Sequence, residues 1–243
     1  MALRIGNHPG RAMPTTTEQC FGRAIGTLTM TRIKPARLVA ALALLILGVI
    51  GFGLAVNTGG GQIVDQQLMV DAAAFSEDLG VFSAEFVGLV TPILIVGGVL
   101  VVLMITLRNN PIALTLRVVV VTLGPITTAW VLKQSLDRPD LNGLVMHNSF
   151  PSGTLTAITA LACAIVLVTP NRWRAVVAIN GALLTIGTAI SVVVRQWHRP
   201  SDVIGALLLV GCYTLAVSAF PLNTAAARHS ILADPGNERL SGV

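Results

Sequence analysis

Long, continuously apolar runs separated by short polar connections fill the chain from residue 36 to residue 221. About 20 mostly apolar residues are needed to cross a hydrocarbon core of about 30 Å. Lipid offers no partner to a free amide, so such runs must be helices or the strands of a closed barrel. Barrel strands alternate apolar and polar positions, and these runs do not. The pattern therefore predicts an all-α, polytopic membrane protein with six transmembrane helices, at 36–56, 86–107, 112–132, 153–169, 175–194 and 203–221. The fourth run is the shortest, as expected of a helix that tilts or starts inside a protein-lined cavity. In the first connection, Ile63 to Leu79 (IVDQQLMVDAAAFSEDL) spaces its apolar residues at nearly helical intervals. A short helix lying on the outer surface is predicted there.

Composition agrees with a membrane location. Of 243 residues 53% are hydrophobic and only 11% charged, against about a quarter charged in ordinary soluble domains. Such a chain cannot remain solvated as a disordered protein. The net charge of +5, from 16 basic and 11 acidic residues, reflects topology rather than a nucleic-acid partner. Arg4, Arg11, Arg23, Arg32, Lys34, Arg37, Arg108, Arg117, Arg172, Arg174, Arg228 and Arg239 all fall on one side of the expected spans. An excess of Lys and Arg marks the cytoplasmic side, so both termini are expected in the cytoplasm. The reading divides the chain into a basic, disordered cytoplasmic tail (1–35), a six-helix membrane domain (36–222) and a C-terminal cytoplasmic tail (223–243). Met30 opens a more typical anchor sequence, MTRIKPARLVAALALL, which offers an alternative start. The run from Leu38 to Val56 exceeds a usual signal-peptide core, which argues against cleavage. Cys20, Cys163 and Cys212 cannot build a disulfide framework.

Four bases remain on the opposite side: Lys133, Arg138, Arg195 and Arg199. One such base at a helix end ordinarily anchors the interface. Here they group with other polar residues. Lys133 and Arg138 lie in LKQSLDRPD, Ser152 and Gly153 in HNSFPSGT, and Arg195 and Arg199 flank His198 in VVVRQWHRPSD. The third and fifth connections open on the same outer face, where these segments can converge. Guanidinium and ammonium groups match a phosphate in charge and geometry. A Ser-Gly pair ahead of a helix adds free backbone N–H groups and the positive end of the helix dipole. A phosphate reached at a membrane surface points to a lipid phosphate as the substrate and partner.

These three segments resemble the type-2 phosphatidic acid phosphatase family, whose signature reads K-x6-R-P, then P-S-G-H, then S-R-x5-H-x3-D. Lys133 fits the first motif. The family's Arg-Pro would fall on Asp140-Leu141, whereas this chain has Arg138-Pro139 two residues earlier. Pro151, Ser152 and Gly153 fit the second motif, with Thr154 in place of its histidine. Ser191, His198 and Asp202 fit the third, with Val192 in place of its arginine. The six-span layout also matches the family's fold.

The resemblance implies that His198 is a nucleophile forming a phosphohistidine at the extracytoplasmic face, with Asp202 as its orienter. It implies that Lys133, Arg138, Ser152 and Gly153 hold the phosphoryl oxygens. Arg195, three residues beyond Val192 and on nearly the same helical face, could supply the missing guanidinium; simple snorkelling is its other reading. Threonine cannot replace the family's general acid, which leaves three outcomes open. His147 could fold back as the general acid. The substrate could be an isoprenoid lipid diphosphate, whose leaving group needs little protonation. Or the protein could be a catalytically impaired relative that binds phospholipid. No cluster with metal-ligand spacing occurs, and the family is metal-independent, so neither a metal nor another cofactor is expected.

Overall fold

The computed structural model describes residues 33–75, 95–100, 103, 112–143 and 148–220. These residues form α1 (Pro35–Val56), α2 (Gly59–Phe75), α3 (Ile112–Ser135), α4 (Gly153–Val168), α5 (Asn171–Val194) and α6 (Pro200–Ser218). A further helical stretch covers 95–100. Among the described residues there is no strand, in keeping with the expected all-α class.

Among the described residues, four helices are long and apolar enough to cross a membrane: α1, the Leu114–Ser135 part of α3, α5 and α6. The expected span at 86–107 lies mostly outside the described residues, as do most of the N-terminal tail and all of 223–243. The fourth expected span is α4, which has 16 residues. It packs against α3, α5 and α6 and buries Leu155, Ile158, Ala160, Leu161 and Ala164. A helix enclosed by neighbours need not match the bilayer's thickness, which accounts for the short fourth run.

Prolines help to set where two helices begin. Pro35 opens α1 and Pro200 opens α6, where a fixed φ suits the first turn and the missing N–H costs no helical bond. α1 and α6 run antiparallel. At their shared end Lys34 N donates to Ala219 O at 2.9 Å and Arg37 Nη1 donates to Ser218 O at 2.8 Å. The outward faces are apolar: Val49 is 65% exposed and Leu183 63%, a surface suited to hydrocarbon rather than water.

α2 is the helix predicted in the first connection. The reversal from α1 depends on Gly61, where a Cβ would lie 1.9 Å from Leu54 O. Only glycine allows that approach. Thr58 completes the turn by donating its hydroxyl to Leu54 O at 2.6 Å and accepting from Gly61 N at 3.0 Å. α2 is thereby laid against α1, α5 and α6, beside the end of α6 that starts with Pro200. Leu155, Val192, Val203 and Ala206 form one buried cluster, tying α4, α5 and α6 together. Lipid removes most of the hydrophobic drive between such helices, so close packing must hold them.

Candidate active site

Two helix starts and one helix end build the site. Ser152 caps α4, its hydroxyl accepting from Leu155 N at 3.4 Å, while its own N–H donates to Asp202 O at 3.0 Å. The starts of α4 and α6 are thus pinned together. Asp202 lies in the first turn of α6, where its Oδ2 accepts from Arg199 N at 3.0 Å. A carboxylate there is favoured by the helix dipole. The same residue caps the start of its own helix and faces the site. α5 ends at Val194, and Gln196 adopts a left-handed φ of 55°. Trp197 N and His198 N then both donate to Val192 O, at 3.0 and 3.1 Å. The tight turn holds His198 over Asp202.

His198 Nδ1 lies 3.5 Å from Asp202 Oδ2. Ser149 donates its hydroxyl to the same Oδ2 at 2.6 Å. Arg138 Nη1 stands 3.6 Å from Asp202 Oδ1 and 3.5 Å from Ser149 Oγ, while its Nη2 reaches Asp65 Oδ2 at 3.4 Å. Side-chain exposure is 2% for Arg138, 0% for Asp202 and 13% for His198. Water is kept from the Arg138–Asp202 contact while the imidazole stays accessible. Asp65 accepts from Ser201 N at 2.9 Å and from the Ser201 hydroxyl. Arg199 is also buried, and its Nε donates to Gln66 Oε1 at 3.1 Å. Burial pulls the Arg199 guanidinium below its ordinary pKa and the nearby Arg138 charge adds to this, against the opposing effect of Asp202 and Asp65.

Lys133, in the last turn of α3, reaches the start of α4: a Cβ built on Gly153 would lie 3.6 Å from its Nζ. An ammonium there stands beside the N–H groups opening α4, an arrangement suited to an anion. Residues 117–225 match the family described as the PAP2 superfamily. No curated protein matches the chain. Its fold is similar to that in "Crystal structure of the first transmembrane PAP2 type phosphatidylglycerolphosphate phosphatase from Bacillus subtilis", with a TM-score of 0.55 and 21% identity over 74% of this chain and 94% of that one.

The PAP2 segment contains every site residue expected from the sequence, and the structure draws most of them together. His198, Asp202 and Arg138 form one cluster with Ser149. Lys133, Ser152 and Gly153 meet at the start of α4, which is joined to Asp202 through Ser152 N. Arg138 comes two residues early for the PAP2 pattern, but it lies beyond the end of α3, in a segment without helical register. Its reach therefore depends on the path of that segment and not on periodicity.

Arg195 lies apart from the Arg138–Asp202 pair. Its guanidinium stacks over the Trp197 ring at 5.1 Å, and among the described residues no hydrogen bond or ion pair joins it to Asp202 or Arg138. Val192, at the PAP2 arginine position, is fully buried in the cluster with Leu155, Val203 and Ala206. Thr154 stands half-buried in the first turn of α4, and His147 lies outside the described residues. Three residues around the site received no site role from the sequence, Asp65, Gln66 and Ser149, while Arg199 was grouped with the outer bases without a part of its own. Gln62, Asp65 and Gln66 recur at the spacing of one helix face, a signal present in the sequence but masked by the apolar residues between them.

Proposed function

We propose that this protein is a multi-pass cell-membrane lipid phosphatase with His198 as its nucleophile. The observation that carries this reading is the facing of His198 Nδ1 and the buried Asp202 carboxylate at 3.5 Å, beside Arg138. An imidazole whose Nδ1 side is held by a carboxylate keeps Nε2 for attack, and the carboxylate stabilises the cation that forms. Nε2 attacks the terminal phosphorus as its bond to the leaving oxygen breaks, releasing the lipid alcohol from a monophosphate or the lipid phosphate from a diphosphate, and water then hydrolyses the phosphohistidine to free phosphate. Lys133, Arg138 and the N–H groups around Ser152 and Gly153 hold the phosphoryl oxygens as charge builds in the transition state.

The preferred substrate is an isoprenoid lipid diphosphate. Thr154 supplies no proton to a departing alkoxide, whereas a departing phosphate needs little protonation. The division of bases supports a site at the extracytoplasmic face, with 36–222 as the catalytic domain and both tails in the cytoplasm. Thr154 also favours a second reading, a catalytically impaired phospholipid-binding member.

Phosphate release from isoprenoid diphosphate, phosphatidic acid and phosphatidylglycerol phosphate by purified protein tests these readings, with His198→Ala as control. Release lost in His198→Ala is the expected result. Release that survives the substitution overturns the nucleophile, faster turnover of a monophosphate overturns the substrate preference, and no release from any lipid favours the impaired member.

A further inference from the structure

α2 lies outside the PAP2 segment, and in its first half the polarity is inverted relative to an ordinary surface helix. Ile63, Val64 and Leu68 are more than half exposed, whereas Gln62 and Asp65 are buried at 6% and 5% exposure. The inward face makes specific bonds. Gln62 Nε2 donates to Pro139 O and to Val56 O, each at 2.7 Å, which fixes the Pro139–Asp140 peptide, one residue beyond Arg138. Asp65 accepts from Ser201 N and the Ser201 hydroxyl and faces Arg138 at 3.4 Å. Gln66 accepts from Arg199 Nε at 3.1 Å. A buried carboxylate is costly unless paired and hydrogen-bonded, and here each of its partners flanks the site.

We propose that α2 is a positioning clamp for the phosphate site, in which Asp65 holds the Arg138 guanidinium against the start of α6. The inference rests on the reading that Arg138 binds phosphate. Among the described residues, Arg138 has only long contacts, 3.4 to 3.6 Å, to Asp65, Ser149 and Asp202. A guanidinium so loosely held depends on the charges on both sides to fix its plane. Asp202 supplies one from within the PAP2 segment, and Asp65 supplies the other from outside it. Gln66 does the same for Arg199 through a neutral acceptor.

The test uses the full chain purified in detergent, as wild type, Asp65→Asn, Arg138→Ala and the double variant. Inorganic phosphate binding is measured by calorimetry, alongside thermal unfolding and lipid phosphate release. Asp65→Asn is expected to weaken phosphate binding about tenfold, the scale on which supporting-shell partners act on a bound ion. In the Arg138→Ala background it is expected to have no further effect, because the two act as a unit. Unchanged or tighter binding by Asp65→Asn overturns the clamp, and so do losses that add in the double variant. A purely structural Asp65 lowers the unfolding temperature and leaves phosphate binding alone. Should Asp65→Asn not fold, Gln62→Ala repeats the test through the Pro139 carbonyl beside Arg138, with weaker binding supporting the clamp and unchanged binding overturning it. Wild-type protein that neither binds nor releases phosphate overturns the phosphate-site reading and the clamp with it; wild-type binding with unaffected variants overturns the clamp alone.

Discussion

The Ser149 hydroxyl donates to Asp202 Oδ2 at 2.6 Å, joining the loop before α4 to the first turn of α6. The bond is short and charge-assisted, of the kind worth roughly twice a neutral one. Ser149→Ala removes it and leaves a buried carboxylate oxygen with less support. The expected loss is about 1.5–3 kcal/mol of folding stability, and kcat/KM is expected to fall with it because Asp202 loses a group that holds it beside His198. Steady-state phosphate release checks it, and unchanged kinetics would remove Ser149 from the site.

Phe150 lies against Gly205, where a Cβ would come within 2.4 Å of the ring. The ring also meets Phe52 at 5.1 Å between centroids. Gly205→Ala must therefore shift Phe150, and with it the adjoining Ser149. Overpacking of this kind costs about 1–3 kcal/mol, so both the unfolding temperature and the turnover are expected to fall. Retention of both would show that the ring moves without disturbing its neighbour.

Restoring the PAP2 arginine by substitution is not expected to succeed. Val192 has 0% exposure and packs with Leu155, Val203 and Ala206, so Val192→Arg forces a charge into an apolar cluster. Burying an unpaired charge costs at least several kcal/mol, and the variant is expected to accumulate poorly in membranes. Normal expression with raised activity would contradict this account.

Thr154→His behaves differently. The position is half-buried in the first turn of α4, next to Gly153 and close to the Lys133 ammonium. Folding is expected to be retained, and turnover of phosphatidic acid is expected to rise relative to isoprenoid diphosphate, by up to the hundredfold or so that general acid catalysis contributes. An unchanged ratio between the two substrates would show that protonation of the leaving group is not what separates them.

The apolar runs made most of the helices legible: α1, α3, α4, α5 and α6 begin and end close to the expected limits because continuous hydrophobicity leaves a chain little choice in lipid. The grouping of Lys133, Ser152 and Gly153 was legible too, since helix connections on one side share a surface. Asp65 was not. Its role depends on which face of α2 turns inward, and the exposed Ile63, Val64 and Leu68 give that face the opposite sense from a soluble protein. Ser149 and Arg138 lie in irregular segments, where loop path rather than periodicity decides who meets whom. Arg195 shows the same limit from the other direction: its N–H still makes the helical bond to Ser191 O at 3.1 Å, but its guanidinium turns to the Trp197 ring, because spacing places a Cα and not the far end of a long side chain.

The antiparallel seam between α1 and α6 has a practical consequence. Through Lys34 and Arg37 the chain enters α1 at the end where α6 finishes, while the α6 residues of the site lie at its start. A helix of 19 residues is about 28 Å long at 1.5 Å per residue, nearly the whole hydrocarbon thickness. Reporters fused just before Pro35 and just after Ser218 are therefore expected to share one compartment, and a label that reaches them there is expected to meet a barrier of lipid before it meets His198.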